Sequence, residues 1–261
     1  MSRLHLLGLM PRPLRLLALR QITAPGRRAR RLVCRIARTS TEFDTAARLL
    51  HDCYVEKGMM SPHPCGRRDV PQLRQPGSFV VIVLDDDRIV GTAGLASDGP
   101  LGLPTDAIHP EELAKLRRNG RRLVEACAMA LAPGYRRSGA HALMGALLVH
   151  MGHIVLNADD LIITTAPAGV DVYEAALSMR PFTSVRTNPS LGAHVPSQGL
   201  VVALATLEER LRRRDRFWPA GALDCHWVYF RHPWPGLERL PPQEALEAQR
   251  SLLASLESAK C

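Results

Sequence analysis

One carboxylate, Glu125, sits inside an otherwise apolar run, RRLVEACAMALA, which reads as a strand halted by Pro133-Gly134. A glutamate in such a setting is seldom buried without a partner or a task. Two readings are open to it: an ion pair with Arg121 or Arg122, or removal of a proton from a substrate, directly or through water. Just downstream, Arg136-Arg137-Ser138-Gly139-Ala140-His141 opens a helix. Unpaired N–H groups and the helix dipole at such a start stabilise a phosphate, arginine adds charge, and Gly139 lets the backbone come close to a ligand. The two features together would set a proton acceptor beside a phosphate cradle.

The elements that must position them follow from local pattern. LVCRIAR (32–38) is an apolar, β-compatible run, and Thr39-Ser40-Thr41-Glu42 supplies N-cap candidates for a helix through about Lys57, ended by Gly58. SFVVIVLDDDRIVGTAGLA reads as a hairpin turning at Asp85-Asp86-Asp87. HPEELAKLRRNG is a short helix with Pro110 in its first turn and Gly120 past its end. After the Glu125 strand comes a helix from about Ser138 to Leu156, apolar on most faces and so expected to lie buried against a sheet. DLIITTA is a strand, DVYEAALSM a helix, GLVVALATL a late strand and EERLRRRDR a charged helix. Strands adjacent in sequence at the start predict an α+β fold, with a mixed, largely antiparallel sheet flanked by helices rather than a doubly wound one. The expected division is a basic tail over 1–31, one domain over 32–210, and an aromatic, proline-rich segment with a helical C-terminal appendage over 211–261.

Composition narrows the partners. The formal charge is +9, and Lys57, Lys115 and Lys260 are the only lysines among 34 basic residues. Such a field favours an acidic partner. Residues 1–31 carry no Asp or Glu; they read as a disordered or loosely helical basic tail, with a membrane-surface helix as the second reading. None of the six cysteines forms a C-x-x-C pair or a zinc-like spacing, which predicts a reduced, cytoplasmic protein, or one lying peripherally at the inner membrane through its tail. No run approaches the roughly 18 apolar residues needed to span a bilayer. His150 and His153 are spaced i, i+3 but lack a nearby carboxylate, so no metal is assigned. The aromatic set Phe217, Trp218, Trp227, Tyr229, Phe230 and Trp234 is interrupted by prolines at 219, 233 and 235, and reads as an apolar cover or acyl-chain lining rather than a nucleic-acid platform.

Arg136 and Gly139 match the Gln/Arg-x-x-Gly-x-Gly/Ala loop that binds pyrophosphate in the GNAT superfamily, with His141 at the small-residue position. A longer pattern resembles the FeeM-type long-chain N-acyl amino acid synthases, relatives of the acyl-homoserine-lactone autoinducer synthases. It comprises Gly91, Thr92, Leu95, Asp98, Gly102, Leu103, Pro104 and Asp106, then Glu112, Leu113, Leu116 and Arg117, then Gly120, Arg121, Glu125, Cys127 and Ala130. Tyr54, Glu56, Gly58, Pro167 and Tyr173 extend it, over about residues 40–206. The resemblance implies a GNAT-like fold with no permanently bound cofactor. It also implies transfer of an acyl group from the phosphopantetheine of an acyl carrier protein, or from acyl-CoA, to the α-amine of an amino acid.

On that reading Glu125 is the base, and Tyr173 either donates a proton to the departing thiolate or packs in the core. The backbone at Ala130, Leu131 and Ala132 would meet oxyanion and pantetheine; Arg136 and Arg137, with Arg117, Arg118, Arg121 and Arg122, would dock an acidic carrier. Three positions depart from the pattern. Leu50-His51 replaces an arginine and an aromatic, Ala168-Gly169 replaces Arg-His, and Ala128 replaces an arginine of the autoinducer synthases, which argues against lactone synthesis. The alternatives are an acetyl-CoA-dependent N-acetyltransferase and a catalytically degenerate lipid- or protein-binding module.

Overall fold

The longest apolar run in the first half of the chain, Phe79–Asp85 (β2), turns on itself at Asp86, which takes φ +52°, and returns as Arg88–Ser97 (β3). The computed structural model describes residues 10–21, 27–136, 138–192, 195–219 and 223–258. Around the hairpin the remaining strands assemble into one sheet: Val33–Ile36 (β1), Leu123–Leu131 (β4), Asp160–Thr165 (β5), Arg180–Pro181 (β6), Arg186–Thr187 (β7) and Pro196–Ala203 (β8). The order is β1-β2-β3-β4-β5-β8-β6, with β7 also on β8. Every pairing is antiparallel except β4 with β5, which a helical crossover connects. The mixed, mainly antiparallel sheet expected from the sequence is the one found; the two-residue strands β6 and β7 carried no pattern long enough to read.

Helices cover both faces. Ser40–Glu56 (α2) begins at Thr39, whose hydroxyl accepts the Glu42 N–H at 3.2 Å, and packs Phe43 and Ala46 on one face beside Leu113 of Pro110–Arg118 (α3). The opposite face takes Ala140–His150 (α4), which continues through a wide turn over Met151–Val155. Its apolar sequence is buried nearly all round: Leu143, Met144 and Leu147 have no exposed surface, and each such side chain contributes about 1.5–3 kcal/mol by leaving water. Val170–Leu177 (α5) and Leu207–Asp215 (α6) lie on the same side.

Two segments outside the central sheet, one early and one late in the sequence, belong to this packing. Arg12–Arg20 (α1) is a helix docked on α5, with Arg12 and Arg15 ion-paired to Glu174 and Asp171 and Arg20 reaching the buried Asp215 at 2.9 Å. That part of the basic tail is therefore anchored by acidic partners distant in sequence; the rest of 1–31 lies partly outside the described residues. Pro242–Ser258 (α7), expected as an appendage, is built in: Ala245 joins the α4 side of the core, and Leu252 and Leu256 join the α2 side. Among the described residues no helix is long and apolar enough to cross a membrane.

Candidate active site

Along β4 the side chains alternate, Leu123 packing with the α2 and α3 cluster and Val124 with the α4 cluster. Glu125 thus falls on the α2 side, where it is 1% exposed. Its carboxylate accepts the Thr105 N–H at 2.8 Å. Burial pushes its pKa up to about 8; hydrogen bonds from the Thr105 N–H and hydroxyl pull the other way, and the charge of Asp106 adds to the rise. Among the described residues no guanidinium reaches it. Arg121 holds Asp160 at 2.6 Å and Arg122 holds Asp159, so the ion-pair reading of Glu125 does not hold. Two residues of one strand four positions apart are about 13 Å apart, too far for Arg121 to reach back along the same face.

Thr105 is fixed by a small ionic platform. Arg117 of α3 donates to both oxygens of Asp98 and to both oxygens of Asp106, at 2.6 to 2.9 Å. Asp106 also accepts the Leu103 N–H at 2.8 Å. Gly102 takes φ +62°, and a Cβ there would come within 2.6 Å of the Asp106 carboxylate, so the turn needs glycine. The residues Asp98, Gly102, Leu103, Asp106 and Arg117 therefore build the loop that presents one N–H to one carboxylate. The Thr105 hydroxyl also touches that of Thr164 on β5.

Beside the carboxylate the sheet opens. The β4–β5 ladder runs from Leu123↔Asp160 to Ala126↔Ile163 and stops, although both strands continue. On its other edge β4 bulges: Thr92 pairs with Ala130 but Gly94 with Cys127, and Ala128 takes φ +51° to absorb the extra residue. The fork so formed holds a cavity of about 350 Å³ whose lining includes Glu125, Ala126 to Met129, and Ile163 to Ala166. The cavity passes through the sheet. On the α4 side it meets His141, Gly145, Leu148, Tyr173, Leu177 and Tyr229; on the α2 side it meets Tyr54, Arg68 and Cys127.

Burial raises the pKa of Tyr173, which keeps its proton, and lowers that of His141, which stays neutral; the two rings meet at 5.9 Å. Burial also lifts the Tyr54 hydroxyl to about 12 and holds the Cys127 thiol well above its usual range. The sequence does not mark Thr105, Thr164 or Arg68 as site residues, and it places His141 only in the loop that opens α4. Thr105 occupies the variable position of the GLP-x-D motif, and only the three-dimensional pairing gives it meaning.

The expected phosphate and backbone contacts stand differently. Gly139 caps α4 at φ +90°, with the Ser138 hydroxyl accepting the Ala140 N–H at 3.2 Å. Arg136 is exposed and ion-paired with Glu56; Arg137 lies outside the described residues. Ala130, Leu131 and Ala132 do not line the cavity, and the Ala132 N–H is committed to the Val90 carbonyl at 2.9 Å. The strand leaves its parallel neighbour earlier than expected, so the open stretch is Ala126–Met129. Arg117, Arg121 and Arg122, expected at a docking surface, are engaged by Asp98, Asp106, Asp160 and Asp159. No group of metal-ligating side chains that could hold an ion occurs among the described residues.

A mixed sheet forked after its central strands, with a glycine-capped helix crossing between them, is the fold of the GNAT acyltransferases. Residues 45–198 match the family of the N-acyl amino acid synthase FeeM, and the chain belongs to that family; it is an N-acyltransferase. Among solved structures it is similar to FeeM from uncultured soil microbes, at 21% identity and a TM-score of 0.59, covering 69% of this chain and 94% of that one. It also resembles the CoA-dependent acyl-homoserine lactone synthase BjaI (14% identity, TM-score 0.47, 72% of this chain and 90% of that one). A third is the spermidine N-acetyltransferase SpeG of Vibrio cholerae, at 12% identity and TM-score 0.46, over 69% of this chain and 98% of that one. No curated protein sequence matches the chain.

Proposed function

We propose that the chain transfers a long-chain fatty acyl group from acyl carrier protein, or from acyl-CoA, to the α-amine of an amino acid. The observation that carries this reading is Glu125, a carboxylate with a pKa near 8 on the wall of a cavity that threads the fork between β4 and β5. A base of that pKa is half-ionised close to neutral pH, where it takes a proton from an ammonium most effectively. The free amine then attacks the thioester carbonyl, the new C–N bond forms as the C–S bond breaks, the second proton shed by nitrogen replaces the one that Tyr173 gives to the thiolate, and Glu125 releases the proton it took from the ammonium. The touching hydroxyls of Thr105 and Thr164 give that proton a route towards the cavity.

The departing thiolate takes a proton from Tyr173, whose raised pKa keeps it in the donor form. Backbone N–H groups on the unpaired edge of β4 past Ala126 stabilise the oxyanion. The apolar wall formed by Leu148, Leu161, Leu177 and Tyr229 suits an alkyl chain rather than an acetyl group. An acidic carrier would dock near the start of α4 through Arg136, exchanging Glu56 for a partner's carboxylate.

The test is direct. Purified protein is given dodecanoyl or hexadecanoyl donors on carrier protein and on CoA, and acetyl-CoA, each with a mixture of amino acids, and products are identified by mass spectrometry. N-acyl amino acids from the long donors are expected; faster turnover of acetyl-CoA would overturn the assignment of the donor.

A further inference from the structure

Arg68 has a setting unlike that of the arginines beside it. Its backbone N–H is tied to the Ala47 carbonyl of α2 at 3.1 Å. Arg67 and Arg74 are consumed by a network with Asp44 and Asp69, and Arg48 shares Asp44. These pairs brace the loop on both sides of Arg68, whose own side chain turns inward to the cavity. There it is half-buried and has no carboxylate or hydrogen-bond partner among the described residues. Its guanidinium rests on the Tyr54 ring, 5.3 Å from the centroid. Burial without a counterion lowers its pKa, the reverse of Arg67 and Arg117, which their carboxylates raise.

The position of this charge relative to Glu125 suggests its use. Arg68, Cys127 and Glu125 all line the same cavity, and among the described residues no hydrogen bond or ion pair joins the guanidinium to the carboxylate, which is held by the Thr105 N–H. Both charged groups thus face one space on the α2 side of the sheet. A molecule carrying a carboxylate and an amine on one carbon fills that space with its carboxylate against the guanidinium and its amine towards Glu125. A simple amine would leave a partly dehydrated guanidinium unpaired, which a site built this way disfavours. The planar fork of arginine matches a carboxylate with two parallel hydrogen bonds.

We propose that Arg68 anchors the carboxylate of the acyl acceptor, so that the acceptor must be an α-amino acid whose carboxylate is free. This rests on the acyl-transfer reading above but can fail separately from it. Its role is one of positioning and specificity.

The experiment compares wild type with Arg68→Gln and Arg68→Lys, each checked for folding by circular dichroism. For the best amino-acid acceptor, Arg68→Gln should raise KM about 100-fold with kcat changed only a few-fold and the donor KM unchanged, and Arg68→Lys should fall between. The matching amino-acid amide should be a poor acceptor for wild type and no poorer for Arg68→Gln. A second measurement needs no turnover: calorimetric binding of N-dodecanoylglycine and N-dodecanoylglycinamide. Wild type should favour the acid at least tenfold, and Arg68→Gln should bind both alike. Retained preference for the acid in Arg68→Gln, or a raised donor KM with an unchanged acceptor KM, overturns the proposal. If wild type acylates no amino acid, the proposed reaction fails while the binding comparison still decides the role of Arg68.

Discussion

Replacing Glu125 with glutamine separates catalysis from packing, because the amide keeps the size of the side chain and can still accept the Thr105 N–H, but it cannot titrate. The wild-type carboxyl is moved from the 4.5 of a free glutamate to about 8. The folded state therefore holds a proton over the interval in which the unfolded chain has released it. The stability this contributes is fully present below about pH 4.5 and is lost as pH rises to about 8. At 1.36 kcal/mol per pH unit that interval amounts to roughly 5 kcal/mol, an upper figure for one buried group.

Denaturant unfolding at a series of pH values should show this decline in wild type and a much flatter profile in Glu125→Gln, which becomes the more stable protein above pH 8. In the rate assay, kcat/KM of wild type should climb about tenfold per pH unit and level off near pH 8, as the base ionises. The amide variant should lose about 10² to 10⁴ in kcat/KM and with it that ascending limb. Activity within threefold of wild type, or a wild-type profile flat from pH 6 to 9, would show that Glu125 is not the base. Identical pH dependence of stability in the two proteins would show that it is not held protonated.

Two further perturbations probe the surroundings. Arg117→Ala leaves Asp98 and Asp106 unpaired and frees the loop that presents Thr105; it should cost about 1–3 kcal/mol in denaturant unfolding and about tenfold in kcat/KM, with the acceptor side chain preference unchanged. Gly145→Val places a branched side chain where even a Cβ would come within 2.9 Å of the Tyr229 ring, narrowing the α4 side of the cavity. The ratio of kcat/KM for hexadecanoyl over butanoyl donors should fall at least tenfold; an unchanged ratio would mean that the alkyl chain runs elsewhere.

What could be read from the sequence and what could not divide along a physical line. Periodicity and capping are local, so α2 begins where Thr39 says it should, the hairpin turns at Asp86, and the all-round apolar helix α4 is buried as its composition demands. Glu125 was legible for the same reason, since one charged residue in an apolar strand is an anomaly visible within nine residues. Its partner was not. Adjacent arginines were the obvious candidates, yet they pair with Asp159 and Asp160, while the atom that meets the carboxylate is a backbone N–H twenty positions earlier, at Thr105.

The opening of the fork was equally silent, because Ala128 enters the left-handed region without the glycine that usually announces it. Arg68 shows the same limit from the other direction. Thirty-four basic residues look alike as letters, and only after the ion pairs of Arg67, Arg74, Arg117, Arg121 and Arg122 are drawn does the guanidinium left facing a cavity stand out. The motif around Asp98 to Arg117 is the converse case, since Asp98, Asp106 and Arg117 do not themselves line the cavity. They act by holding one loop, and through it one N–H, at the distance that keeps a buried carboxylate both ionisable and aimed at the space where acyl group and amine would meet.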